Sequence, residues 1–181
     1  ADVFDVEEEI EKAVLKVLKV AQPEKRYAPR QHVNLKAYDL FLHGLSCFAR
    51  RTTQDNVYAR QLFKQAIDIE PDFGRAWAAL AYTYGYSYMY FNATDVNLAE
   101  AKRTSKQALK LSPDLAESHV SYGIACCMDQ NYGKAEEEFE KAIELDPKNY
   151  RAWYFFGRAK VHEGDLERAL KLFERAAMVR P

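Results

Sequence analysis

Apolar residues recur three and four positions apart along most of the chain, which is the spacing of one face of an α-helix. Four such runs end alike: QAIDIEP, QALKLSP, KAIELDP and RAAMVRP. Their prolines are Pro71, Pro113, Pro147 and Pro181, which lie 42, 34 and 34 residues apart. Because proline lacks the backbone donor and restricts the residue before it, each run predicts the end of a helix. The spacing predicts a helical unit that occurs four times.

Small and bulky residues hold fixed places in this unit. An alanine stands five residues before each proline, another stands twelve before it, and a further small residue lies upstream in the first helix. These series are Ala66, Ala108, Ala142 and Ala176; Ala59, Ala101, Ala135 and Ala169; and Gly44, Ala81, Gly123 and Gly157. A bulky series is Phe63, Ser105, Phe139 and Phe173, with serine as the exception. Antiparallel helices cross closely where a small residue meets a large one, so the pattern predicts a packed helix hairpin.

One hairpin cannot cover its own apolar face, whereas three or more stacked copies can. The sequence therefore predicts an all-α solenoid of antiparallel helix pairs. The four predicted repeats are 37–73, 74–115, 116–149 and 150–181. The first two exceed 34 residues, and we expect the extra residues in the turns inside these hairpins, at 51–56 and about 88–96.

The repeated positions resemble those of the tetratricopeptide repeat, whose pattern is W…LG…Y…A…F…A…P. In the last unit the matching residues are Trp153, Phe156, Gly157, Ala169, Phe173, Ala176 and Pro181. In the second they are Trp77, Leu80, Ala81, Tyr84, Ala101, Ala108 and Pro113. The resemblance implies a right-handed superhelical solenoid that binds other proteins. The chain departs from the pattern at Ser105, His119, Cys126 and Lys160, where aromatic residues are usual.

The start of the chain is of a different kind. The spacing of Val6, Ile10, Val14 and Val17 predicts an amphipathic N-terminal helix over 1–20, followed by a polar linker over 21–36. This junction resembles bacterial tetratricopeptide-repeat proteins that have a TolB-like or nucleotide-cyclase-associated domain upstream. In such proteins the helix ends the upstream domain, and the repeats act as a sensory or scaffolding part.

Charge and cysteine content narrow the function further. The chain has 26 basic and 27 acidic residues and a formal net charge of -1, which favours neither nucleic acid nor an acidic membrane as a partner. No stretch is long and apolar enough to predict a membrane span. Cys47, Cys126 and Cys127 are odd in number and lack metal-ligand spacing, which favours reduced thiols and a cytoplasmic location.

Residues that often perform chemistry are scattered. The four histidines lack a cysteine or carboxylate at ligand spacing, and we expect His43 and His119 to be partly buried packing residues. The acidic residues of 136–140 are predicted to lie on a solvated helix face beside Lys134 and Lys141. Because no catalytic motif is present, the sequence predicts no enzyme, no cofactor and no metal.

In the resembling family, the first helices of the hairpins line a concave groove that binds the partner. The groove residues predicted here are Phe41, Leu45, Phe48, Arg75, Tyr82, Tyr86, Glu117, Ile124, Arg151, Tyr154 and Arg158. Aromatic residues together with arginine are typical of recognition surfaces. An alternative is that the N-terminal helix covers Phe41, Leu45 and Phe48 with its own apolar stripe.

The sequence thus predicts a module that binds a protein or peptide. A chaperone carboxylate clamp is disfavoured, since its Lys, Asn and Arg positions hold Phe41, Leu45, Ala79, Glu117 and Ser121. The alternative function is a non-catalytic regulatory region of a larger signalling enzyme such as a nucleotide cyclase. A further hypothesis is a homo-oligomer formed through the C-terminal end, where no polar capping helix follows the fourth unit.

Overall fold

The computed structural model of the protein describes residues 34–180. The predicted N-terminal helix, nearly all of the predicted linker and the junction resemblance lie outside these residues. So does the alternative in which that helix covers part of the groove.

Within residues 34–180 the chain forms eight α-helices and no strand. The helices are α1 Leu35–Ala49, α2 Thr53–Ile69, α3 Gly74–Tyr90, α4 Asp95–Leu111, α5 Ala116–Met128, α6 Tyr132–Leu145, α7 Tyr150–Glu163 and α8 Leu166–Val179. They pair as α1/α2, α3/α4, α5/α6 and α7/α8, and each pair packs on the next. The predicted all-α solenoid of helix pairs is therefore confirmed.

Local sequence explains where the helices begin and end. Asn34, Thr52, Thr94, Asn131, Asn149 and Asp165 each precede a helix, and their side chains accept hydrogen bonds from its first-turn amides. The second helices of the first three pairs each end two positions before a proline, namely Pro71, Pro113 and Pro147. Caps and prolines together set the length of each hairpin.

The turn after a first helix contains a residue in the left-handed region in three of the four hairpins. Gly164 occupies it with a φ of 84°. Arg51 and Gln130 occupy it with φ of 60° and 59°, where a side chain costs about 1 kcal/mol. Two positions that favour glycine therefore carry long polar side chains.

Three of the four hairpins cross where a small residue meets a large one, as predicted. A Cβ added to Gly44, Gly123 or Gly157 would lie within 2.5–2.7 Å of the ring of the paired phenylalanine, which is Phe63, Phe139 or Phe173. The second hairpin has Ala81 and Ser105 at the two places, and both are buried. Where alanine replaces the glycine of the first helix, serine replaces the phenylalanine of the second helix.

The extra residues of the first two hairpins mostly lengthen helices, so their predicted location in the turns was wrong. Helices α2, α3 and α4 have 17 residues each, against 13 or 14 in the later hairpins. Thr53 and Asp95 already lie inside helices, and Tyr90 ends α3. Side-chain caps at Thr52 and Thr94 stabilise the first turns of α2 and α4, where turn residues were expected.

His119 stands where the second and fourth repeats have tryptophan, and its ring makes the same contact with a proline carbonyl oxygen. Trp77 and Trp153 donate from Nε1 to the carbonyl oxygen of the proline six residues earlier, at 2.8 and 2.9 Å. The Nε2 of His119 lies 2.7 Å from the carbonyl oxygen of Pro113, and its Nδ1 lies 2.7 Å from Glu138 Oε2. His119 is buried as expected, whereas His43 is exposed, so its predicted burial was wrong.

The predicted solvated face of α6 holds for Glu137 and Glu140 but was wrong for two neighbours. Glu138 is buried, and its Oε1 accepts from Lys134 at 3.0 Å. Glu136 forms ion pairs with Lys160 and Arg168 of the following hairpin. The reason is that α6 packs against α5 and α7 on two sides, so these carboxylates meet cations that lie 19 to 32 residues away in the chain.

Candidate functional site

The first helices of the four hairpins form one surface, which we call the inner surface. Three cavities of the described residues lie on it, lined by side chains of α1, α3, α5 and α7, of α8 and of the adjoining turns. Four aromatic residues form its floor. Phe48 packs edge-on against Tyr82 at a centroid distance of 5.4 Å, and Tyr82 packs edge-on against Phe155 at 5.8 Å. Tyr86 packs on Phe48 at 5.3 Å.

The floor joins hairpins that are not neighbours in the chain. Tyr82 belongs to α3 and Phe155 to α7, so their contact spans α5. The helix between them is lined with small side chains, including Ser118, Ser121 and Gly123. Arg158 of α7 likewise donates a hydrogen bond to the hydroxyl oxygen of Tyr90 at the end of α3. Side chains of α3 thus contact α7 directly, across α5.

The first cavity, the N-terminal cavity, has a volume of about 510 Å³. Arg51, Arg75 and Arg151 line it together with Glu117. Apolar lining comes from α1 and α3. The residues at the five chaperone-clamp positions all line this cavity and present two apolar side chains, an alanine, a carboxylate and a hydroxyl. Such a set offers no cation at these five positions.

The second cavity, the C-terminal cavity, has a volume of about 700 Å³. Its walls are aromatic and include Tyr86, Tyr150, Tyr154 and Phe173. Arg51 and Arg180 line it, and no carboxylate of residues 34–180 does. Arg51 and Tyr82 also line the N-terminal cavity, so the two cavities adjoin at these side chains.

The third cavity, of about 410 Å³, lies nearer the turns. Met89, Ile124, Met128 and Arg158 line it, with Gln130 from the left-handed turn position. Arg158 lies over the ring of Tyr90 at 5.4 Å and contacts the sulfur of Met89 at 3.5 Å. This cavity is apolar except for one guanidinium group and the polar side chains at its edge.

The arginines of residues 34–180 differ among themselves in how they are paired. Away from the cavities, Arg50, Arg103 and Arg168 form ion pairs with carboxylates at 2.6–2.9 Å. Those of the inner surface, Arg51, Arg75, Arg151 and Arg158, form none with a carboxylate of residues 34–180. Three of them lie on aromatic rings instead. Among residues 34–180, Glu117 is the carboxylate that shares a cavity lining with three of them, and it forms no ion pair with any.

Arg51 and Arg151 both interact with Tyr82. The guanidinium carbon of Arg51 lies 4.7 Å from the ring of Phe48 and 5.0 Å from that of Tyr86. The guanidinium carbon of Arg151 lies 4.7 Å from the ring of Tyr82, and its Nε is buried without a hydrogen-bond partner among the described residues. Stacking of this kind holds a guanidinium group in place while its edge remains free to donate.

The pKa of Tyr150 is lowered by the arginines of this region. Burial acts to raise the pKa of its phenol, but a hydrogen bond and the charge of Arg151, with the charges of Arg51 and Arg180, outweigh burial and lower that pKa. The deeper Tyr82 behaves differently, since burial raises its pKa despite the same two inner-surface arginines. Positive potential therefore concentrates at Tyr150, on the wall of the C-terminal cavity.

Every residue that the sequence predicted for the groove lines one of the three cavities, although their role in binding stays a prediction. Seven line the N-terminal cavity: Phe41, Leu45, Phe48, Arg75, Tyr82, Glu117 and Arg151. Tyr86 and Tyr154 line the C-terminal cavity, and Ile124 and Arg158 line the third. Phe41 contributes mainly to the core, because it packs on Phe63 and Phe73 at 5.9 and 5.1 Å.

The sequence reasoning missed several lining residues, and five of them carry aromatic or cationic side chains that shape the site. Tyr90 follows Tyr86 by four positions, so helical spacing contained the signal for it. Arg51 and Arg180 lie in turn or terminal positions outside any helical face, and Tyr150 begins α7. Phe155 was missed because its inward direction depends on the contact with α3.

The thiols do not form a reactive centre. All three cysteines are free. Burial, followed by the neighbouring thiol of Cys126, raises the pKa of Cys127 to about 12, against an ordinary value of 9.0. No group of three or more metal-ligating side chains occurs within residues 34–180. None of the helices in that range is long and apolar enough to cross a membrane.

We expect iodoacetamide at about pH 8 to alkylate Cys127 roughly 100-fold more slowly than it alkylates the unfolded chain. The reason is that a pKa of about 12 leaves very little thiolate at that pH. Tryptic mass spectrometry after timed labelling, with a urea-unfolded sample as control, measures the rate. Equal labelling of Cys127 in both samples would contradict the burial of this thiol.

Comparison with known proteins places this architecture in a class. Residues 97–149 and 128–181 match two family models of the tetratricopeptide repeat. Superkiller protein 3 of Schizosaccharomyces pombe is 29% identical over 131 residues, which are 72% of this chain and 9% of that protein. Human mitochondrial import receptor subunit TOM70 is 27% identical over 115 residues, which are 63% of this chain and 19% of that protein.

Among solved structures, PilF of Pseudomonas aeruginosa superposes with a TM-score of 0.61 at 20% identity, covering 80% of this chain and 61% of that one. Residues 97–181 therefore match tetratricopeptide-repeat models, and the helix hairpins have the fold of a tetratricopeptide-repeat solenoid. Such repeats are modules for protein–protein interaction. The chain spans 9% and 19% of the lengths of these two curated relatives. The similarity therefore concerns the repeat module alone.

Proposed function

We propose that the inner surface binds a peptide or helix of a partner protein that carries acidic side chains beside aromatic or other large apolar ones. The observation that carries the proposal is the set of four inner-surface arginines without a carboxylate partner in residues 34–180. These are Arg51, Arg75, Arg151 and Arg158. The chain is nearly neutral overall, so this local excess of positive charge is a property of the surface.

The aromatic floor supports the apolar part of the proposal. Tyr154 is partly exposed above Phe155, and Tyr86 is partly buried beside Phe48. Tyrosine rings offer large contact area at low entropic cost, and arginine adds directional donors. A peptide with alternating acidic and apolar side chains would use both kinds of group at once.

The N-terminal cavity argues against a partner held only by a chain-end carboxylate. Glu117 lies beside Arg75 and Arg151 in this cavity, and Phe41 and Leu45 supply apolar surface where a clamp needs donors. We propose instead that side chains of the partner, at several points along its length, provide the negative charge. The three free thiols favour a reducing compartment, so we include a cytoplasmic location in the proposal.

Arg51 gives the sharpest test because it stands at a left-handed position. We expect Arg51→Gly to keep a stability within about 1 kcal/mol of the parent chain, since relief of the backbone strain offsets the lost stacking. We expect the same change to weaken binding of acidic peptides about tenfold or more, because charge-assisted hydrogen bonds contribute about 1.5–3 kcal/mol. Stability is measured by urea unfolding and affinity by fluorescence anisotropy.

The peptides come from a random dodecamer phage library selected on the full chain. Arg151→Gln serves as a second variant, and Arg175→Gln is the matched control, since Arg175 is exposed on α8 and lines none of the three cavities. Selection of peptides without acidic residues, or equal weakening by Arg175→Gln, would refute the proposal. Affinity should also fall with added salt.

A further inference from the structure

The C-terminal cavity has a chemistry of its own. Its aromatic walls are formed by Tyr86, Tyr150, Tyr154 and Phe173, and its volume of about 700 Å³ lies within the usual range for pockets that hold a large side chain or small molecule. It is open to one side and adjoins the N-terminal cavity at Arg51. A flat ring that enters it meets other rings on most sides.

Cationic groups lie at one end of this aromatic cavity. Arg51 and Arg180 line it, and Arg151, which is not part of the lining, lies over the ring of Tyr82, which is. The phenol of Tyr150 lies where the charges of all three act. Two formal positive charges therefore line the cavity, a third lies on one of its lining rings, and no carboxylate of residues 34–180 belongs to the lining.

The number of donors distinguishes between anions. One carboxylate has two oxygens and one negative charge, which would leave most of these guanidinium donors unused. A phosphate ester has three acceptor oxygens and about two negative charges at neutral pH, and arginine pairs with it in a forked geometry. The aromatic walls in turn suit an aryl group attached to that phosphate.

We propose that the C-terminal cavity binds the side chain of a phosphorylated tyrosine in the partner, with the phosphate beside Arg51 and Tyr150 and the ring among the aromatic walls. The inference deepens the proposed function, because it names the anionic group that one part of the inner surface accepts. The inference rests on the proposed function in one respect, that the phosphorylated ring belongs to a peptide of the partner.

A small-molecule titration tests the cavity without any knowledge of the partner. Phenyl phosphate, benzoate and inorganic phosphate are titrated into the full chain by isothermal calorimetry, with the arginine Nε–Hε signals followed by NMR. We expect phenyl phosphate to bind with a Kd on the order of 1 mM, which is typical for a ligand of this size. Benzoate and inorganic phosphate should each bind at least about tenfold more weakly, since each lacks one of the two recognised parts.

The variants Arg51→Gln and Tyr150→Phe should weaken phenyl phosphate binding about tenfold and about threefold, while Arg175→Gln should leave it unchanged. A far-ultraviolet circular dichroism melt checks that each variant is folded. Binding of inorganic phosphate as tight as that of phenyl phosphate would overturn the aromatic part of the assignment. Equal binding by the parent and Arg51→Gln would overturn the whole assignment.

A peptide array connects the cavity to the proposed function. Peptides with a fixed central phosphotyrosine, phosphoserine, tyrosine or glutamate between randomised positions are probed with the full chain before and after phosphatase treatment. We expect phosphotyrosine members to be retained about tenfold more strongly than glutamate members, and phosphatase to abolish the difference. Equal retention of glutamate and phosphotyrosine members overturns the inference but leaves the proposed function intact. Binding of phenyl phosphate without retention of any peptide leaves the cavity assignment intact and contradicts the proposed function.

Discussion

Replacing Phe139 by alanine is expected to lower the free energy of unfolding by about 3–5 kcal/mol, the usual cost of removing a fully buried aromatic ring. The ring of Phe139 fills the crossing of α5 and α6 opposite Gly123, and it packs on Phe156 of the next hairpin at 6.0 Å. The substitution therefore affects the packing within one hairpin and between two. Urea unfolding followed by circular dichroism measures the change.

The second hairpin provides the matched control, because Ser105 occupies the place of Phe139 there. We expect Ser105→Ala to change the stability by less than about 1 kcal/mol, since its hydroxyl bonds only to a carbonyl of its own helix, at 3.2 Å. Gly123→Ala alone should cost about 1–3 kcal/mol through its clash with the ring of Phe139. In the Phe139→Ala background the same change should be neutral or stabilising, as the natural pair of Ala81 and Ser105 indicates. An equal cost in both backgrounds would show that the ring does not set the size limit at Gly123.

Replacing Glu138 by glutamine is expected to cost about 2–3 kcal/mol near pH 5.5, the range for a buried hydrogen bond between charged groups. The side chains of His119 and Glu138 are 10% and 8% exposed, and the ring nitrogens of His119 face two acceptors. An imidazolium ring satisfies both acceptors, because it carries a proton on each nitrogen. Glu137→Gln is the control, since that neighbouring carboxylate is exposed and contacts the same Lys134. It should cost less than about 1 kcal/mol.

The cost of Glu138→Gln should depend on pH in a stated direction. Burial acts to lower the pKa of His119, but hydrogen bonds to Glu138 and Pro113 outweigh it, so that pKa is raised above its ordinary value of 6.5. Burial acts to raise the pKa of Glu138, but His119 and Lys134 outweigh it, so that pKa is lowered below 4.5. The stabilisation from His119 is therefore complete below pH 6.5 and lost as pH rises through the folded-state pKa, while that from Glu138 is complete above pH 4.5 and lost in stronger acid.

The parent and the Glu138→Gln variant should thus differ most between about pH 4.5 and 6.5 and should converge above that window. Part of the difference remains at higher pH, because Lys134 stays charged and keeps its contact with Glu138. Unfolding curves in matched buffers from about pH 5 to 8.5 measure the difference. A difference that stays constant over this range would mean that His119 does not carry the charge assigned to it.

The fold was predictable from the sequence because its determinants are local. Prolines end helices, and a small residue at a fixed offset from a bulky one sets each crossing, so four copies of one pattern define four hairpins. The misplaced extra residues show where this reasoning stops. A period longer than 34 gives the number of added residues, whereas the caps at Thr52 and Thr94 decide whether they extend a turn or a helix.

The buried charges and the cavities were less predictable because their determinants are distant in sequence. Glu136 and Glu138 appear to lie on a solvated face only when α6 is considered alone, and their partners belong to α5, α7 and α8. The groove series follows from helical spacing, whereas Phe155 enters the site only because α3 reaches α7. Arg51 was missed since a left-handed turn residue belongs to no helical face.

The contact between α3 and α7 has a consequence for how the repeats come apart. In an ordinary repeat array each unit contacts only its neighbours, so that terminal units can unfold one at a time. Here Tyr82 and Tyr90 of the second hairpin hold Phe155 and Arg158 of the fourth. Loosening of the fourth hairpin must also break contacts of the second, so amide hydrogen exchange should report a single opening step shared by the last three hairpins instead of a gradient towards the end.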